Sequence, residues 1–160
     1  MKKTFGSIVI ALLLLIILVS TTLAAPAAAE KKFALKGSFD ATETQQVVLP
    51  IAYVDATGVG NATHLGLFTY HLQAELFLPT LTATASATLT AANADMIFGA
   101  GSGQGTPTGM PGIVSIVETY TITGGTGRFE GATGNFTVER LIDRATLTSS
   151  GTISGTIVLP

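Results

Sequence analysis

Apolar and polar side chains alternate at every second position through most of this chain. The alternation is clearest over residues 65–78, where the apolar set is Phe68, Tyr70, Leu72, Ala74 and Leu76 and the polar set is Thr69, His71, Gln73 and Glu75. Successive side chains of a β-strand point to opposite faces of a sheet, so this period predicts a strand with one buried face. No segment after residue 29 repeats with the helical period of about 3.6 residues, which predicts an all-β domain.

The same alternation recurs in segments that are separated by clusters of turn-forming residues. Eight such segments are predicted as strands: residues 32–41, 45–54, 65–78, 81–91, 96–104, 113–123, 135–144 and 150–159. Pro50 interrupts the second of them and predicts an edge, a bulge or a bend there, because proline cannot donate to a sheet. Residues 55–64, with the sequence DATGVGNATH, are interpreted as a loop.

An antiparallel meander of these strands with one apolar face predicts a closed eight-stranded barrel, because closure removes the exposed sheet edges. The same pattern also permits a two-sheet β-sandwich, which is the alternative. Glycines inside the predicted strands favour the barrel, since tight bends and a narrow interior require residues without a side chain. These glycines are Gly37, Gly99, Gly101, Gly103 and Gly155.

The first 29 residues differ from the rest of the chain and predict a signal peptide that forms a helix. Lys2 and Lys3 provide a positive start, residues 8–19 are apolar, and Ala27 to Ala29 provide a cleavage site. The twelve apolar residues are fewer than the roughly 20 that a membrane-spanning helix needs, so no stable membrane anchor is expected. We therefore expect a single barrel domain over residues 30–160, secreted or periplasmic after cleavage.

Charge and cysteine content narrow the classes of partner. Without Lys2 and Lys3 the domain has six basic residues against ten acidic ones, a net charge of −4. No basic patch is available to neutralise phosphates, so nucleic acid is not an expected partner. The chain has no cysteine, so a packed core and not a disulfide must stabilise the exported domain.

A glycine-rich segment, ITGGTGRFEGATG, covers residues 122–134 between two predicted strands. Its glycine spacing departs by one residue from the dinucleotide-binding pattern, and a strand follows where that pattern requires a helix. A phosphate-binding P-loop requires a lysine after its glycines, and the chain has none beyond Lys36. The segment is therefore predicted to form a tight connection between strands.

Residues 118–141, ETYTITGGTGRFEGATGNFTVERL, resemble a segment of the plant allene oxide cyclases. In that family a strand ends in Ile-Thr-Gly-Gly and continues through Gly, Phe and Glu-Gly into the next strand. The segment is more distantly similar to the Gly-Gly-Thr-Gly-x-Phe segment of the dirigent proteins. Secreted bacterial members of unassigned function are the most similar.

The resemblance implies an eight-stranded antiparallel barrel with an apolar cavity, assembled as a homotrimer. The cyclases fold a fatty-acid epoxide into a cyclopentenone, and the dirigent proteins steer the coupling of phenoxy radicals. Because the shared residues lie in the turn, and the polar catalytic residues of the cyclases match no position here, the resemblance does not carry the reaction over.

Two charged residues interrupt the apolar faces of neighbouring predicted strands. If Ile122 lies opposite Phe136, then Glu118 lies directly opposite Arg140 inside the barrel. An unpaired buried charge is costly, so the two side chains are expected to form an ion pair. The pair is either structural, within a filled core, or a polar anchor for a ligand with Tyr120 as a donor beside it.

His64 and His71 are the only histidines, and their opposite parity on one strand prevents them from binding a metal together. No metal and no cofactor are expected. His71 is predicted to be exposed to solvent. His64 shares its parity with Phe68 and Tyr70 and is predicted to line a barrel mouth with them, which makes these three residues further candidates for ligand binding.

Two hypotheses about function follow. The first is a secreted, non-catalytic β-barrel that binds a small apolar ligand or acts as an extracellular interaction module. The alternative is a cyclase or isomerase of the allene oxide cyclase type that acts on a lipid-like substrate. No catalytic residue is assigned under either hypothesis. The two hypotheses differ in the open space that they require inside the barrel, since a cyclase must hold a lipid-like substrate there.

Overall fold

A computed structural model of the protein describes residues 29–160. It has eight strands: β1 Lys31–Val48, β2 Ile51–Ala62, β3 Gly66–Phe77, β4 Thr82–Ala91, β5 Met96–Pro107, β6 Ile113–Gly125, β7 Thr133–Asp143 and β8 Thr148–Leu159. All neighbours pair in chain order and antiparallel, and β8 pairs with β1, so the sheet is a closed barrel and not a sandwich. The predicted signal helix lies outside the described residues.

Residues 55–64 are not a loop, which corrects the sequence prediction. Most of them belong to β2, while Leu49 and Pro50 form the turn between β1 and β2. The inward positions at this part of β2 are taken by small residues, and a side chain on Gly60 would come within 2.7 Å of the Cβ atom of Phe39. Small residues are needed here because the aromatic side chains of neighbouring strands fill the interior. Because these inward residues are small, the sequence analysis interpreted them as turn residues.

The antiparallel order places the connections at two ends of the barrel. We call one the mouth end; its connections are residues 49–50, 78–81, 108–112 and 144–147. The other is the plugged end; its connections are residues 63–65, 92–95 and 126–132. Phe129, Ala132 and Leu65 from these plugged-end connections are almost completely buried, so they close that end.

The glycine-rich segment builds the plug. It contains a single 3₁₀ turn, Gly127–Phe129, whose Phe129 side chain points into the core. Gly127 has a φ of +57°, and a Cβ atom on it would lie 1.8 Å from Asp95 Oδ1. The backbone N–H of Arg128 donates to Asp95 Oδ2 at 3.3 Å, and its guanidinium donates to the carbonyl of His64 at 3.0 Å. The prediction of a tight connection is confirmed, and the glycines serve close packing.

The inward-facing side chains form one continuous core. The largest of those that are fully buried are Tyr70, Tyr120, Phe136, Leu35, Leu72, Leu89, Ile97, Ile153, Ile157 and Val138. Glycines on neighbouring strands make room for the rings, since a Cβ atom on Gly155 would lie 2.7 Å from that of Phe136. Within residues 29–160, no helix has the length and apolar character required to span a membrane.

Candidate ligand site in the barrel interior

Four polar side chains meet inside the barrel, and we call them the charged cluster: Glu43, Glu118, Arg140 and Ser149. Arg140 donates through Nη2 and Nε to the two carboxylate oxygens of Glu118, at 3.1 and 3.3 Å. Its Nη1 donates to Glu43 Oε1 and, at 3.3 Å, to Ser149 Oγ. No member of the cluster is more than 6% exposed. A buried arginine thus has two carboxylate partners from different strands.

The ion pair between Glu118 and Arg140 forms, but the predicted register is wrong by two residues. Tyr120 pairs with Phe136, so Glu118 lies opposite Val138 and Ile116 lies opposite Arg140. β6 continues to Gly125 against β5, whereas its pairing with β7 begins only at Thr121 and Asn135. A shift of two residues preserves the inward parity, and the long arginine side chain reaches Glu118 diagonally.

Glu43 and Ser149 were missed by the sequence analysis. The first predicted strand ended at Ala41, whereas β1 continues to Val48, and Glu43 has the same inward parity as Phe39 and Ala41. One signal was available, since a guanidinium carries five N–H donors and one carboxylate cannot satisfy them all. A second buried acceptor for Arg140 was therefore to be expected.

Two buried tyrosines lie behind the charged cluster. Tyr70 and Tyr120 are 1% and 0% exposed, and their rings pack on Phe39 and Phe136 at centroid distances of 4.8 Å. Neither hydroxyl has a hydrogen-bond partner among residues 29–160. Burial raises the pKa of both hydroxyls far above the usual tyrosine range, and the nearby carboxylate of Glu118 raises it further. Both tyrosines therefore stay protonated and retain a donor.

Arg140 likewise keeps its proton and its positive charge. Burial by itself lowers the pKa of its guanidinium, because a low-dielectric interior disfavours the charged form. Glu118 and Glu43 outweigh that effect, and the pKa of Arg140 lies above its usual range. The cluster thus contains a permanent cation.

A cavity at the mouth end reaches the charged cluster. Its volume is about 70 Å³. Its apolar lining comes from Val54, Ala74, Leu76, Leu78, Leu81, Ala83, Val114, Ile116 and Ile142. Its polar lining comes from Glu43, Gln45, Glu118, Arg140 and Arg144. Typical small-molecule pockets measure roughly 300–1,000 Å³, and a dry cavity of about 150 Å³ holds benzene. This cavity therefore accommodates only the slender end of a ligand.

Five of the six candidate residues from the sequence are buried in the barrel interior. Glu118 and Arg140 line the cavity, and Tyr70 and Tyr120 lie deeper, within electrostatic range of them. Phe68 is a buried core residue that does not line the cavity. The charges and tyrosines are thus brought together, while Phe68 contributes to packing.

The prediction that His64 lines a barrel mouth beside Phe68 and Tyr70 is wrong. It is exposed in the turn between β2 and β3, at the plugged end, where its ring packs on Phe33 at 4.9 Å. Its φ of +64° ends the strand alternation, so parity with Phe68 does not extend to it. His71 lies on the outer face, 3.1 Å from Asp55. In residues 29–160, no three His, Asp or Glu side chains are grouped to hold a metal ion.

Comparison with known proteins adds evidence on the fold. No protein-family model matches the chain. No curated protein sequence matches it. A solved structure of a pterocarpan synthase dirigent protein is similar, with a TM-score of 0.60 and 14% sequence identity. The similarity covers 88% of this chain and 98% of the dirigent protein. At this identity it shows that the chain shares the barrel fold of a dirigent protein, and the fold alone.

Proposed function

We propose that this protein is a secreted, non-catalytic β-barrel that binds the end of a slender apolar ligand at the mouth end. One observation carries the proposal: a cavity with apolar walls ends on the buried charged cluster. Apolar walls provide affinity, and a few fixed polar groups orient the bound molecule. The barrel that a dirigent protein shares provides a rigid frame for such a cavity.

The cavity volume favours this function over the alternative of a lipid cyclase or isomerase. An enzyme that folds a long substrate must surround its reacting atoms and exclude water from them. A space of about 70 Å³ is too small to surround the reacting part of a lipid. The end of an extended chain fits, and the rest of the ligand remains at the mouth.

The interior site is tested by filling the cavity without changing the charged cluster. Ala83 on β4 lines the cavity, so Ala83→Leu is expected to abolish binding of linear alcohols and amines in native mass spectrometry. Ala100 on β5 is exposed, and Ala100→Leu is the matched control that retains binding. Binding by Ala83→Leu at the level of the unchanged protein would place the ligand elsewhere.

Export is part of the same proposal and rests on Lys2, Lys3, the apolar residues 8–19 and the alanines at 27–29. The exported protein is expected to begin at Glu30. Its intact mass tests this, and recovery of the uncleaved chain in a membrane fraction would contradict it.

Exposed apolar side chains beside the mouth favour a second candidate function, that of an extracellular interaction module. Val47, Val48 and Leu49 are 53%, 57% and 80% exposed at the end of β1. Tyr53 and Phe77 lie on the adjoining strands and are 46% and 38% exposed. Contiguous exposed apolar residues often mark contact surfaces. The occupant that we propose is a second copy of this chain, as in the homotrimers of the resembling families.

A further inference from the structure

The floor of the cavity has an excess of negative charge. Glu43 and Glu118 carry two carboxylates, and Arg140 carries the one guanidinium between them, which gives a formal charge of −1. The side chains of all three are at most 4% exposed, so water screens them poorly. Arg144 also lines the cavity, but it is exposed and its charge is screened by solvent. The interior therefore repels an anion and attracts a cation.

The hydrogen bonds at the floor of the cavity also favour a cation over an anion. Nε, Nη1 and Nη2 of Arg140 all donate within the cluster, so the guanidinium is already engaged. Glu43 Oε2 has only a contact of 3.5 Å with Gln45 Nε2, at the limit of a hydrogen bond. A carboxylate has room for about four hydrogen bonds. The floor thus offers acceptors to an incoming group and few free donors.

The volume limits the shape of that group. The volume of about 70 Å³ is less than half that of a dry cavity of roughly 150 Å³ that binds benzene, so only a narrow group such as an ammonium with its first methylene enters. An aromatic ring needs more space than this. The remainder of a linear chain would follow the apolar side chains of Leu78, Leu81 and Ile142.

We propose that the ligand is a linear primary amine, which inserts its ammonium group between the apolar walls and places it against Glu43 and Glu118. The inference rests on the proposed function and specifies its ligand class. The ammonium donates up to three hydrogen bonds to the carboxylates and balances the excess negative charge. A carboxylate of the same chain length is excluded from the floor because it meets like charge and an engaged guanidinium.

Three ligands with the same chain length test the inference: hexylamine, hexanol and hexanoate. Binding is measured by isothermal titration calorimetry on the exported protein at neutral pH. We expect hexylamine to bind about tenfold more tightly than hexanol, the difference typical of a hydrogen bond to a charged group, and hexanoate to bind most weakly. Equal affinities, or tightest binding of hexanoate, would overturn the inference and leave the proposed function standing. Binding of none of the three would overturn the proposed function itself.

A charge variant tests the role of the floor directly. Glu43→Gln keeps the shape of the side chain and makes the cluster formally neutral, so the preference for hexylamine over hexanol should fall about tenfold. Glu139→Gln is the matched control, because Glu139 lies beside Arg140 on β7 and is exposed. If Glu43→Gln does not fold, Glu118→Gln removes the other carboxylate. An unchanged preference in the folded variant would overturn the inference.

Discussion

Carboxylates from two different strands bind Arg140, so its contribution to stability depends on both of them. Glu118 on β6 accepts from two of its nitrogens, while Glu43 on β1 accepts from the third. The two strands are not neighbours in the barrel. Arg140 on β7 therefore links the neighbouring strand β6 with β1, which lies on the other side of β8. Removing it leaves two buried carboxylates facing each other.

Arg140→Met is expected to lower the free energy of unfolding by about 3–5 kcal/mol, because it leaves buried charges without a partner. Adding Glu118→Leu should recover only part of the loss, since Glu43 stays buried and unpaired. The triple variant with Glu43→Leu as well should recover most of it, as apolar replacement of a whole buried ion cluster often does. Urea unfolding of the three variants measures this. A loss below about 1 kcal/mol for Arg140→Met would show that the cluster is solvated in solution.

Because of the buried hydroxyls of Tyr70 and Tyr120, we expect the stability of the barrel to decline at alkaline pH. Their pKa values are raised by burial and by Glu118, so the folded barrel keeps both protons above the ordinary tyrosine pKa of about 10. The unfolded chain loses these protons there, so it binds fewer protons than the folded chain. Stability should therefore be unaffected by these groups below about pH 10 and should fall as the pH rises above it.

Urea midpoints measured between about pH 8 and about pH 11 test the alkaline decline. Tyr120→Phe should make it less steep, because this variant removes one of the two hydroxyls. Tyr53→Phe is the control, since Tyr53 is on the outer surface and 46% exposed. An equal effect of both variants would contradict the assignment to the buried pair.

At the scale of strands, alternation predicted some elements closely and missed others for a physical reason. The segment 65–78 corresponds to β3 Gly66–Phe77, because large apolar and polar side chains alternate there without interruption. Residues 55–62 of β2 were missed because the inward positions there include Gly58 and Gly60, where a Cβ atom would meet Ala41 and Phe39 respectively. A small inward residue leaves no apolar signal in the sequence. The long-range packing that requires it is visible only in the fold.

The connection between β6 and β7 provides a prediction at this scale. Gly127→Ala should lower the free energy of unfolding by about 1–3 kcal/mol, because the residue has positive φ and the added methyl group would overlap Asp95. Gly109→Ala is the matched control, since a Cβ atom there meets nothing within 4 Å. Thermal unfolding compares the two. Equal stability of both variants would mean that the plug does not hold this turn in place.

Across the whole molecule, the barrel has one end filled by the glycine-rich segment and one end with a cavity. The sequence predicted a barrel and a buried pair, but the alternation of side chains carries no information about which turns share an end. His64 was assigned to a mouth for this reason, although it lies among the turns of the plugged end. The sequence pattern does not predict the size of the cavity either, because that size depends on how side chains from many strands fill the interior.

Exposed apolar residues beside the mouth lead to a prediction about assembly. Val48 is 57% exposed next to Val47 and Leu49, and burial of such a patch between copies would contribute roughly 25 cal/mol for each Å² removed from water. We expect a homotrimer at micromolar concentration in multi-angle light scattering, and Val48→Lys should shift it to a monomer because lysine charges would meet at the contact. Val59→Lys is the control, because Val59 is 65% exposed on β2 but lies far from this turn. A monomer for the unchanged protein would remove the proposed contact, and dissociation by Val59→Lys alone would place the contact on the other part of the wall.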